Sequence, residues 1–133
     1  MEALQTVVIT RSFLVKATYE SAFEYLADPM NQPKWAIHFV QRVEQTADGY
    51  LATLPFGQLP IQIHADPQTG VLDIQFGEGS ASPVRLVSIS PGECLFSFTL
   101  VKPTDMPDPV WEQQAVPNLE EELEMLKTQL MAL

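Results

Sequence analysis

Cysteine is almost absent from this chain of 133 residues: Cys94 is the only one. A single thiol cannot close an intrachain disulfide, which excludes the cross-linked framework of a small secreted domain. Basic side chains are scarce too, 7 against 17 acidic ones, for a formal charge of -10. Such a surface repels phosphate backbones and anionic lipid and sets nucleic acid and membrane partners aside; it also keeps a protein soluble. No apolar run approaches the roughly 20 residues that span a bilayer. Met1–Gln5 lacks the basic-then-apolar pattern of a signal peptide, so the cytoplasm is the expected location. There is no glycine-rich phosphate loop and no spacing that suggests a Ser-His-Asp, Cys-His or paired-carboxylate site. The sequence implies no cofactor and no metal. With neither internal repeats nor a low-complexity linker, residues 1–133 read as one domain.

What is present suits a packed core: 46% of residues are hydrophobic and 18% charged. The first strand is expected over Gln5–Lys16, with Val7, Ile9, Arg11, Phe13 and Val15 on one face. Thr18 is placed to cap a helix whose Tyr19, Phe23 and Leu26 form one stripe, and Asp28-Pro29 ends it. A short helical turn is expected at Met30–Gln32, with Pro33-Lys34-Trp35 leading outward to the sheet. Six strands follow: His38–Gln45, Tyr50–Pro55, Ile61–Asp66, Val71–Phe76, Val84–Ile89 and Cys94–Val101. Short turns such as Ala47-Asp48-Gly49 and Pro91-Gly92 make the neighbours antiparallel, because a parallel return needs a crossover of a dozen residues or more.

The last segment reads as a helix starting with Asp108 as N-cap and Pro109 at the first helical position. Val116, Leu119, Leu123, Leu126 and Leu130 step by three or four and form its apolar face, while Glu120, Glu121, Glu122 and Glu124 lie mainly outward. Pro117 is expected to kink the helix by removing the partner of the Gln113 carbonyl. The stripe packs on the chain's own sheet or, as the alternative, forms a heptad seam; two heptads favour the former.

Strand, two short helices, six strands and a long helix is an order that resembles the START-like superfamily, which includes the birch pollen allergen and the polyketide cyclase/dehydrase group. Ala22-Phe23-Glu24-Tyr25-Leu26-Ala27-Asp28 followed by Pro33-Lys34-Trp35, Leu54-Pro55-Phe56-Gly57, and Glu121–Lys127 carry the resemblance locally. It implies an α+β helix-grip fold: a curved, seven-stranded antiparallel sheet, two short helices after the first strand, and a long kinked helix packed across. It also implies a cavity between sheet and helix for a small apolar or aromatic ligand. These motifs mark an architecture and no reaction.

On that architecture the expected ligand-binding residues are Arg11, Phe13, Trp35, Tyr50, Ile63 and Leu119. Arg11 interrupts an apolar face and anchors a bound acid or enolate, pairs with a protein carboxylate, or lies on a face that turns outward. Ala52, Ala65, Ser88 and Ser97 are small enough to leave room for a ligand. His64 shares a face with Gln62 and Asp66, which points it to solvent; His38 sits near a strand start, within reach of a cavity mouth. Cys94, beside Phe96 and Phe98, reads as a buried inert thiol. Three functions remain open. The first is a small-ligand binder, as a monomer or weak homodimer. The second is a cyclase or dehydrase in which Arg11, Tyr50 or His38 assists proton transfer. The third is a protein-interaction module.

Overall fold

Alternating side chains and short turns build a sheet in which each strand pairs with its chain neighbour. The computed structural model describes residues 7–133, so Gln5 and Thr6 of the expected first strand lie outside the described residues. The strands are β1 (Val8–Val15), β2 (Arg42–Thr46), β3 (Gly49–Leu54), β4 (Gly57–Asp66), β5 (Val71–Phe76), β6 (Val84–Ser90) and β7 (Glu93–Val101). They form one curved antiparallel sheet in the order β1-β7-β6-β5-β4-β3-β2. The expected hairpin order holds throughout, and β1 closes it beside β7 with Arg11 opposite Phe98.

Curvature enters where the ladder is interrupted. β4 pairs with β3 only as far as Pro60 and with β5 only from Ile61 onward. Pro60 has no N–H to give a ladder, and its carbonyl instead takes the N–H of Gly77 at 2.8 Å. Between β5 and β6 the register is a single pair, Val71 with Arg85. There the Asp73 carboxylate substitutes for missing backbone bonds, accepting from the Val84 N–H at 3.0 Å and from Arg85 Nη1 at 2.6 Å. Gly70 is required at the turn before β5: its φ is +78°, and an added Cβ would run into the Leu86 carbonyl oxygen.

α1 (Tyr19–Ala27) starts as expected, with Thr18 Oγ1 accepting from the Ser21 N–H at 3.2 Å. Asp28 then ends α1 and caps a 3-10 turn, Pro29–Asn31, through the Met30 N–H at 3.0 Å. Two expectations are corrected here. Pro33, Lys34 and Trp35 do not lead outward; they are helical, within α2 (Gln32–Trp35). The next strand begins at Arg42 and not at His38, because Phe39 and Val40 turn their N–H groups back onto the Ala36 carbonyl.

The closing helix is continuous from Asp108 to Met131 in three parts: α3 (Asp108–Val110), a π turn (Trp111–Ala115) and α4 (Val116–Met131). Pro107, not Asp108, occupies the N-cap position, and Asp108 is the first helical residue. Its carboxylate meets Lys102 Nζ at 2.9 Å and complements the positive end of the helix dipole. The interruption expected at Pro117 takes the form of the π turn just upstream, where the Val116 N–H reaches back five residues to the Trp111 carbonyl.

Leu119, Leu123, Leu126 and Leu130 are buried within the single chain, so the stripe packs on its own sheet. Leu126 and Leu130 are completely enclosed, as are Phe96, Leu86, Val15 and Cys94. Each such leucine contributes about 1.5–3 kcal/mol by leaving water. The glutamate run is corrected at one position. Glu120, Glu121 and Glu124 face solvent, but Glu122 is 7% exposed.

Candidate functional site

The helix and sheet do not close evenly. Around the π turn they leave an apolar recess of about 280 Å³. Trp35 and Ala36 close one side and Phe39 the mouth; Ile74, Phe76, Phe98 and Leu100 come from the sheet, and Trp111, Ala115 and Leu119 from the closing helix. Both tryptophans of the chain are therefore in its wall. Trp35 meets Phe98 edge-on, with ring centroids 6.5 Å apart, and Phe39 meets Phe76 in the same way at 5.1 Å. Phe56 is 71% exposed at the β3–β4 turn and leans on Phe39 from outside, 6.1 Å away.

Polar groups in this wall are few. Gln32 is 3% exposed, Asn118 projects from α4, and Glu122 is buried beside His38. Glu122 Oε2 accepts the His38 N–H at 3.0 Å, so the carboxyl also holds the irregular segment after α2 in place. Burial pushes its pKa above the usual carboxylate value, and the neighbouring Glu121 adds to this. The N–H groups of His38 and Phe39 and the His38 imidazole pull the other way. His38 Nε2 lies 3.1 Å from Glu121, which does not itself line the recess. No lysine or arginine lines the recess.

The structure divides the expected ligand residues among three places. Trp35 and Leu119 line the recess. Tyr50 and Ile63 line a larger open groove of about 990 Å³ between α1, the β2–β3 hairpin and β4, where Glu24, Asp28 and Asp48 make the rim acidic. Arg11 and Phe13 line neither. The inner face of β1 is the one carrying Ile9, Arg11, Phe13 and Val15, as its burial alternates. Phe13 packs on Phe96 with centroids 5.0 Å apart. Arg11, on an edge strand and half exposed, meets Glu120 of α4 at 3.4 Å. Glu120 is thus the protein carboxylate within reach of Arg11.

Other expectations resolve similarly. His64 is exposed and bonded to Gln75 at 2.7 Å. Cys94 is fully buried against the Ala17 carbonyl at 3.3 Å, and burial raises its thiol pKa, as suits an inert thiol. Among the small residues Ala52 is buried, but Ala65 and Ser88 face solvent and make no room inside. Glu122, Gln32, Trp111 and Phe39 were not singled out by sequence reasoning. A signal existed for Glu122: it lies three residues after Leu119 and four before Leu126, on the apolar stripe itself.

No protein-family model matches the chain, and no curated protein does. Solved structures do. The Zhui aromatase/cyclase from Streptomyces sp. R1128 superposes with a TM-score of 0.69 at 12% identity, covering 94% of this chain and 93% of that one. A START superfamily protein from Mycobacterium smegmatis does so at 0.64 and 15%, covering 92% and 96%. Truncated norcoclaurine synthase from Thalictrum flavum gives 0.62 and 14%, covering 97% of each. At such identities the likeness is one of architecture. The chain has the START-like, helix-grip fold.

Proposed function

We propose that this domain binds a small apolar or aromatic ligand between the sheet and the closing helix. The observation that carries the reading is the aromatic-walled recess beside the π turn, whose polar lining residues are Gln32, His38, Ser82, Asn118 and Glu122. Small-molecule sites have this composition, a mostly apolar wall with a few placed polar groups. The expected polar anchor changes accordingly, from Arg11, which is engaged by Glu120, to the carboxyl of Glu122. Trp35 and Leu119 remain as contacts, and Phe39 with Phe56 forms the mouth. The single buried thiol suits a reducing compartment such as the cytoplasm.

A cyclase-type reaction is the second reading, favoured by one observation. Glu122 is a carboxyl whose raised pKa brings it nearer neutrality, where a general acid or base works best. Titration with an apolar fluorescent dye, followed through tryptophan emission, tests binding. Saturable quenching that is lost in Ala115→Phe, which fills the recess, is the expected result. Unchanged emission, or quenching that persists in Ala115→Phe, would place the ligand elsewhere or nowhere.

A further inference from the structure

We propose that the recess discriminates by charge, taking organic ammonium ions and neutral hydrogen-bond donors and rejecting carboxylates, with Glu122 as the partner of the ligand's donor. This rests on the recess being the ligand site and adds the chemical class of ligand.

Two independent features of the wall carry the inference. The first is its inventory of charge. Among the lining residues only Glu122 and His38 carry an ionisable group. The residues contributed by β5 (Ile74, Phe76), β7 (Phe98, Leu100), the loop after β7 (Pro103, Met106) and the π turn (Trp111, Ala115) carry no ionisable group. His38 is turned toward Glu121, 3.1 Å away. A buried carboxylate ligand would therefore meet no lysine or arginine and would lie beside a second carboxyl. Such a like-charge pair is disfavoured where apolar walls limit solvation and no cation is at hand.

The second feature is what the wall offers to a donor. A carboxylate has about four lone-pair sites, and the His38 N–H, which Glu122 accepts at 3.0 Å, leaves capacity for another hydrogen bond. Trp35, Phe39, Phe98 and Trp111 are in the same wall, and aromatic faces attract cations, indoles most strongly. The chain's formal charge of -10 draws cations toward the surface and keeps anions away. An ammonium ion would also offset the desolvation that burial imposes on the Glu122 carboxylate and that raises its pKa.

Calorimetric titration with three probes of one shape tests this: naphthylmethylamine, naphthalenemethanol and naphthoic acid. The expected order is amine first, alcohol next and acid last, with amine and acid separated by about tenfold to a hundredfold, as for one hydrogen bond to a charged group. In Glu122→Gln the preference for the amine over the alcohol should collapse while alcohol binding persists. Wild-type measurements stand by themselves if that variant does not fold. Amine affinity should rise with pH as Glu122 ionises, and alcohol affinity should change less. Acid binding as tight as amine binding, or an unchanged order in Glu122→Gln, overturns the charge selection and leaves the recess as the site. Failure of all three probes to bind overturns the site and the selection together.

Discussion

The two halves of the closing helix face the same sheet and behave differently. From Leu123 to Leu130 the helix buries Leu123, Leu126 and Leu130 in one core cluster with Phe96, Leu86 and Val15. From Trp111 to Glu122 it presents Trp111, Ala115, Asn118 and Glu122, and a recess remains. Hydrophobic patterning alone does not decide whether a helix seals a sheet. The sealed half has a large aliphatic group at each turn, whereas the open half mixes a widened turn, small or polar groups and one buried carboxyl. Close packing at one end supplies the stability that lets the other end stay hollow.

That contrast can be broken from either end. Leu126→Ala should cost the most, about 2–5 kcal/mol, because the void it leaves is sealed. Leu119→Ala should cost less than Leu126→Ala, since it only enlarges a recess that water can enter. Equal shifts of the urea midpoint in the two variants would show that both halves are packed alike.

A subtler effect depends on pH. Burial raises the Glu122 pKa, so the folded chain holds that proton more tightly than the unfolded chain. The stability it contributes is complete below the unfolded glutamate pKa, about pH 4, and is lost as pH rises through the higher folded value. Glu122→Gln carries no such dependence at this position. The difference in urea midpoint between Glu122→Gln and wild type should therefore grow in the variant's favour as pH rises. A difference that stays constant with pH would mean that Glu122 is as well solvated folded as unfolded. Smallest of all should be Arg11→Met, within about 1 kcal/mol, because its pair with Glu120 is exposed on both sides. A larger loss would show that Arg11 supports the packing of β1 under the helix.

Local chemistry determined much of this protein from its sequence. Alternation and turn length specify antiparallel neighbours, Thr18 and Asp28-Pro29 bound α1, and the leucine spacing identifies the buried face of the closing helix. These signals are legible because each depends on residues a few positions apart. The location of the site is not of that kind. Trp35, Phe98 and Trp111 come from three separate stretches, and only the packing of α2 and the closing helix over the sheet brings them to one wall. The contact of Arg11 with Glu120 joins residues more than a hundred positions apart, a separation that short-range spacing does not report. Glu122 was read as a surface charge because it stands in a run of glutamates. It is buried because the segment after α2 brings the N–H of His38 to meet it, and no local pattern records that contact.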